Sequence, residues 1–249
     1  MDSKVIVLGD SHTYGSELPD AGLEKPWEQH SSLSWPYHMF DKDNIENLSY
    51  PGCSNDMISL RLLRRYRHAI KDGASKEKIV LIMFSKPERL HVVRQGCNFN
   101  TNPFFSYTIA DNGKENVYAE QINQKYELQN RNFVLENFDD VFLEILFLKN
   151  VLFCQTFLES NGIPYYFTMV DHREKIETKG SLETYRDSLF ESINWNKIFL
   201  VEGKYGYIDY ANKIYGFAKN TLPHNHYPEE YHKLFGNLFL DWIKNKNTL

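Results

Sequence analysis

The feature that most constrains the fold is an apolar run that ends in a Gly-Asp-Ser turn close to the start of the chain. The run Val5–Leu8 is led by β-branched side chains, the pattern of a strand buried in a parallel sheet. Gly9, Asp10 and Ser11 follow it directly. Open α/β sheets bind their ligands at the carboxyl ends of strands. We therefore predict that Ser11 is a nucleophile at that edge of a parallel sheet.

The remaining patterns predict an α/β fold, because strand signals alternate with helix signals along the chain. We expect one domain over residues 1–249, a three-layer α/β/α sandwich around a mainly parallel, flavodoxin-like sheet. The predicted strands are Ile45–Ser49, Ile79–Phe84 and Ile163–Val170, with a strand or short helix over Asn196–Val201. The predicted helices are a short one around Trp35–Phe40, one over about 55–70, Asp139–Asn161, and a last one from Pro228 onwards.

The stretch over about residues 91–137 shows no sustained period of either kind and is rich in Asn, Gln, Tyr and Phe. A connection of that length inside a compact domain is unusual and often serves as a lid or a binding insertion. We therefore expect an insertion that covers the site and supplies an aromatic binding wall.

Composition excludes several classes of protein. The net charge of −5 gives no broad attraction to nucleic acid. Three cysteines without metal-type spacing suit a reducing compartment, and the amino terminus has no signal-peptide pattern. The longest apolar run, near 141–157, is interrupted by charged and amide side chains. We expect a cytoplasmic protein without nucleic-acid, membrane or metal partners, and the oligomeric state stays open.

A serine hydroxyl needs a base, since it is a poor nucleophile at neutral pH. A loop near the end of the chain carries His224 and His226 and runs into the predicted last helix. In a doubly wound sheet this loop lies at the same carboxyl edge as the turn after the first strand. We predict that one of these two histidines is the base for Ser11, and that the other lines the site together with His12.

Three features in this order resemble the SGNH (GDSL-like) hydrolase superfamily: Gly9-Asp10-Ser11, the glycine of Asn47-Leu-Ser-Tyr-Pro-Gly52, and the His226 loop. The chain is similar to divergent members encoded by bacteriophages, which would place it in a host cytoplasm or a virion. The resemblance implies that Ser11 is the nucleophile, that His226 is the base, and that Gly52 donates to the oxyanion.

The chain departs from that family at two positions. The third block of the family has an asparagine after the strand Ile79–Phe84, where this chain has Ser85-Lys86-Pro87-Glu88-Arg89. Lys86 or Arg89 would replace that asparagine electrostatically, or Asn55 would donate from the second block. The acid three residues before the histidine is also absent, because Pro223 stands there. Asp171 after another strand would orient His226, or a backbone carbonyl would support a Ser–His dyad.

These features predict a serine esterase or acyl hydrolase that needs no cofactor. Its substrate is expected to be a small ester, in particular an O-acetylated carbohydrate, and acyl transfer to a sugar uses the same residues. The alternative is a catalytically inactive protein that keeps the fold as a binding or structural module of a virion or assembly, because both departures fall on catalytic positions.

Overall fold

The computed structural model describes residues 4–21, 30–69, 79–87, 89–93, 104–108, 140–172, 181–216 and 226–247. Five strands in these ranges form one parallel sheet: β1 (Val5–Leu8), β2 (Ile45–Asn47), β3 (Ile79–Phe84), β6 (Tyr165–Met169) and β7 (Ile198–Phe199). Their spatial order is β2-β1-β3-β6-β7, with every neighbouring pair parallel. This is the flavodoxin-like order, so the predicted fold class is confirmed.

Helices cover both faces of this sheet. They are α1 (Ser11–Tyr14), α2 (Asn55–Ala69), α3 (Asp140–Ser160), α4 (Ser181–Ser192), α5 (Tyr207–Tyr215) and α6 (Glu229–Asn247). Short 3-10 turns span Trp35–His38, Lys42–Asn44 and Trp195–Lys197.

Two separate apolar clusters form the core because alternate residues of a strand point to opposite faces. Ile6 and Leu8 of β1 pack with α2 and α3 in one cluster. Val5 and Val7 pack with α5, α6 and Trp35 in the other. Each residue of β1 is thus buried, which explains why the strand reads as a continuous apolar run rather than an alternating one.

The strand order places the turn after β1 at the topological switch point. The chain leaves β1 for β2 on one side and enters β3 on the other. The carboxyl ends of β1 and β3 lie side by side there, because Leu8 pairs with Ile82. A crevice at such a point is where flavodoxin-like sheets bind ligands. Ser11 therefore stands where the topology favours a site.

The structure contains elements that the periodicity did not predict. An antiparallel pair, β4 (Arg89–Val93) and β5 (Phe104–Thr108), lies at the start of the expected insertion. Its two strands are short, and mixed polar and aromatic residues hide their alternation. The rest of the 91–137 stretch lies outside the described residues. Helices α4 and α5 were also missed, because they are short, with 12 and 9 residues.

Helix α3 is long and apolar enough to cross a membrane by those two criteria, despite its charged and amide side chains. Half of its most apolar stretch is buried inside the protein. Val151, Cys154 and Leu158 are fully buried against the sheet. In this structure α3 is a core helix of one outer layer.

We predict that Gly9→Ala destabilises the protein by about 1–3 kcal/mol, the usual effect of overpacking. A Cβ at Gly9 would lie 2.2 Å from Oγ1 and 2.7 Å from Cβ of Thr13, so the turn between β1 and α1 would have to shift. The measurement is the free energy of unfolding in urea. Ser188→Ala is the control, because Ser188 is exposed and its hydroxyl contacts only the Thr184 carbonyl of its own helix. A Gly9→Ala effect no larger than that of the control would contradict the prediction.

Candidate active site

Ser11 is the first residue of α1, held by the turn that follows β1. The Asp10 side chain caps this helix by accepting a 3.0 Å hydrogen bond from the backbone N–H of His12. Gly9 allows Thr13 to pack directly against the end of the strand. Ser11 is only 7% exposed, so any reactant must reach it through a narrow opening.

The Asp10 carboxylate is fully buried and has three donors. Besides His12 N–H, it accepts from Ser85 Oγ at 2.9 Å and from Nη1 of Arg89 at 2.9 Å. Burial alone raises the pKa of Asp10, but the Arg89 charge and the hydrogen bonds from His12 N–H and Ser85 Oγ outweigh it, so the pKa is lowered. Asp10 is therefore an ionised structural group that ties the Ser11 turn to the segment after β3.

His226 lies beside this turn, although it is more than two hundred residues away in sequence. Its ring centroid is 5.0 Å from that of His12, the residue next to Ser11. Its Nδ1 lies 3.0 Å from Oε2 of Glu17. A carboxylate can only accept, so Nδ1 of the neutral ring carries the proton and Nε2 is the acceptor. The pair thus sets the tautomer that a general base requires.

Glu17 is a site residue that the sequence analysis missed. It lies in the loop after α1 and has a positive φ of 68°, a conformation that non-glycine residues rarely adopt. Such outliers persist where surrounding contacts hold them and are frequent at functional sites. The side chains of His226 and Glu17 are 9% and 15% exposed. No periodicity or motif distinguishes this glutamate in the sequence.

His12 is buried next to His226 and the ring of Tyr207, whose centroid is 5.3 Å away. Burial, assisted by the charges of His226, Arg89 and Lys86, lowers the pKa of His12 to about 3. His12 is therefore neutral at physiological pH. Its Nδ1 is buried and has no hydrogen-bond partner among the described residues. An unpaired polar atom of this kind at a site indicates a place for a ligand or a water.

Gly52 ends the second predicted block, and Asn55 begins α2 three residues later. Gly52 has a φ of 75°, which favours glycine at that turn. The Asn55 amide donates to the carbonyls of Ser85 and Lys86, and its Oδ1 accepts from the Ser85 N–H at 2.8 Å. Because its amide is bonded to this backbone, Asn55 links the start of α2 to the segment after β3 and is not directed at a substrate.

The other predicted site residues occupy different positions. Arg89 is bonded to Asp10, and Lys86 is half-buried just after β3. Asp171 follows β6, and its backbone lies against Gly206, at the start of α5. The carboxylate that contacts Nδ1 of His226 belongs to Glu17 instead. His224 lies outside the described residues.

No group of three or more His, Cys, Asp or Glu side chains in the described part of the chain is placed to hold a metal ion. Cys53, which follows Gly52, is buried, and burial raises the pKa of its thiol to about 12. His232 is buried too, with Nδ1 accepting from the backbone of Trp35 at 3.2 Å. Both residues serve packing rather than chemistry.

Comparison with known proteins yields structural neighbours only. No family model matches the chain, and no curated protein matches it. A protein named as a GDSL-like lipase from Parabacteroides merdae has 11% identity, a TM-score of 0.45 and coverage of 98% of this chain and 96% of its own. A lipase/acylhydrolase from Enterococcus faecalis has 13% identity, a TM-score of 0.42 and coverage of 98% of this chain and 96% of its own.

A third neighbour is a carbohydrate esterase whose active site displays divergent catalytic and non-catalytic binding functions. It has 10% identity and a TM-score of 0.43, with coverage of 98% of this chain and 68% of its own. Similarity at this level does not establish a shared activity. The chemistry of this chain is therefore argued below from its own side chains.

We predict that His12→Gln makes stability less sensitive to acid. As the pH is lowered below 6.5, His12 becomes protonated in the unfolded chain, but in the folded protein it does so only near pH 3. The free energy of unfolding therefore decreases as the pH is lowered from 6.5 to about 3. Removing the histidine should reduce the slope by up to about 1.4 kcal/mol per pH unit. The slope is measured by urea unfolding of wild type and His12→Gln at about pH 7 and about pH 4.5. An unchanged slope would show that His12 titrates normally in the folded state.

Proposed function

We propose that this protein is a serine hydrolase of small esters, with Ser11 as nucleophile and His226 as general base. The observation that carries the proposal is the position of His226. Its ring packs on the residue next to Ser11, and its Nδ1 is held by the Glu17 carboxylate. A nucleophile, a base and a group that orients the base are the three parts of an activated serine.

In the first step, Nε2 of His226 takes the Ser11 proton as Oγ attacks the ester carbonyl. The C–O bond to the alcohol then breaks, and the same imidazolium returns the proton to the leaving alkoxide. Water, deprotonated by His226, then attacks the acyl carbonyl, the bond to Ser11 Oγ breaks, and the imidazolium returns the proton to Oγ as the acid leaves. Glu17 holds the imidazole in one tautomer and stabilises the imidazolium that forms twice in the cycle.

The oxyanion is stabilised by backbone donors in this proposal. The N–H groups of Ser11 and Gly52 have no hydrogen-bond partner among the described residues. The two turns that carry them are held together by Asn55 and Ser85. Preorganised donors of this kind typically contribute a hundred- to a thousandfold in rate each, roughly.

The substrate class follows from access and from the resemblance. Ser11 is nearly buried, which favours a small acyl group such as acetyl. We retain an O-acetylated carbohydrate as the expected natural ester. Transfer of the acyl group to a sugar hydroxyl would differ only in the acceptor that reaches the acyl-serine.

We predict that wild type hydrolyses para-nitrophenyl acetate and reacts with a fluorophosphonate serine probe, and that Ser11→Ala loses both. The matched control is Ser188→Ala, on the exposed face of α4. Labelling that survives Ser11→Ala would remove this serine from the mechanism. Absence of any labelling in folded wild type would favour the inactive binding or structural module instead.

We predict that Glu17→Gln lowers kcat/KM by about a hundredfold or more, since an amide no longer fixes the base tautomer. Glu17→Asp should recover part of the loss. Asp171→Asn tests the competing carboxylate, and Glu46→Gln, which removes a partly exposed ion pair with Arg65, is the control for a generic charge change. A larger loss for Asp171→Asn than for Glu17→Gln would identify Asp171 as the orienting acid.

A further inference from the structure

We propose that Arg89 binds an anionic group of the substrate, so that the preferred esters carry a negative charge close to the scissile bond. The inference rests on the proposed function, because it specifies the substrate of the Ser11 site. The inference specifies anionic esters, whereas the proposed function names only small esters. It is based on the position and the hydrogen bonds of the Arg89 guanidinium.

Arg89 lies between the two turns that supply the proposed oxyanion donors. Its Nη1 is 2.9 Å from Oδ2 of Asp10, the residue before Ser11. The same nitrogen is 3.5 Å from the carbonyl oxygen of Cys53, the residue after Gly52. A group bound to the rest of this guanidinium would therefore lie close to the carbonyl that Ser11 attacks.

The guanidinium makes limited use of its donors within the described part of the chain. Both of its hydrogen bonds there come from Nη1. Its Nε is buried and has no partner. An arginine presents a planar fork that suits two parallel bonds to a carboxylate or phosphate. A buried charged donor without a partner is unfavourable, so its retention indicates a ligand.

Asp10 does not account for the unused donors. Its carboxylate is also satisfied by His12 N–H and Ser85 Oγ, and the contact with Arg89 involves a single oxygen and a single nitrogen. A lysine would serve that contact equally well. The fold therefore does not require the remaining N–H donors of the Arg89 guanidinium.

A second cation lies near Arg89. The charge of Lys86 acts on His12 together with that of Arg89. Lys86 forms no ion pair with any described residue, so an anionic group bound at Arg89 would meet a second positive charge nearby.

The test compares matched esters that differ in one charge. Meta-acetoxybenzoate is paired with its methyl ester, which places the charge on the alcohol side. Para-nitrophenyl hydrogen glutarate is paired with para-nitrophenyl pentanoate, which places it on the acyl side. Rates are corrected with Ser11→Ala. In wild type we expect kcat/KM for the anionic member of at least one pair to exceed that of the neutral member by about ten- to a hundredfold.

Arg89→Lys keeps a charge beside Asp10 but removes the fork, and Arg89→Gln removes both. The anionic-to-neutral ratio should fall about tenfold in Arg89→Lys and approach one in Arg89→Gln. Arg65→Lys is the control, because it alters another arginine–carboxylate pair on α2. Ser11-dependent hydrolysis with a ratio near one for both pairs in wild type overturns the inference and leaves the hydrolase standing.

A binding experiment separates the two proposals when hydrolysis is absent. Monomethyl glutarate and dimethyl glutarate are titrated into Ser11→Ala and followed by ligand-observed NMR. Tighter binding of the monoanion that is lost in Ser11→Ala/Arg89→Gln supports an anion site at Arg89 even if no ester is cleaved. Equal binding of the two compounds overturns the inference on its own.

Discussion

The site depends on one buried carboxylate. Asp10 loses its hydration completely in the fold, and a buried charge is tolerated only where donors replace water. The three donors come from three segments: the backbone of α1, Ser85 after β3, and Arg89 at the start of β4. Satisfying Asp10 therefore fixes the turn that holds Ser11 relative to its neighbours. Removing one partner of such a pair typically costs about 3–5 kcal/mol, much of it from the charge left behind.

The two histidines at the site have different surroundings. His12 is desolvated, which lowers its pKa, so its ring is neutral at physiological pH. His226 has the Glu17 carboxylate at its Nδ1. The neutral His12 ring places no positive charge between the Ser11 turn and His226. The low pKa of His12 is thus consistent with a passive wall position.

Much of this arrangement was predictable from local sequence, because the strands are short apolar runs that need two covered faces. The parallel sheet predicts that the turn with Ser11 and the loop with His226 share one edge, and the structure does place His226 beside His12. Glu17 was not predictable, since its left-handed backbone and its partner are set by tertiary contacts that follow no periodicity. The sequence allows Asn55 to be either an oxyanion donor or a structural residue. Only the hydrogen bond from Ser85 N–H to its Oδ1, which depends on the tertiary structure, indicates the structural role.

The two departures from the family pattern coincide with replacements drawn from neighbouring segments. An orienting carboxylate has to reach only Nδ1 of the histidine, and it can come from any segment that borders the ring. Glu17, six residues after Ser11, contacts Nδ1 in this way. Ser11 and the carboxylate therefore lie on one short segment near the start of the chain, and the segment before α6 supplies only the His226 imidazole. On the other side of the turn, Nη1 of Arg89 lies between the Asp10 carboxylate and the Cys53 carbonyl. In the proposed hydrolase this permanent cation replaces a neutral amide and favours esters that carry a negative charge. Losing the usual residues is therefore compatible with a working site whose substrate differs in charge.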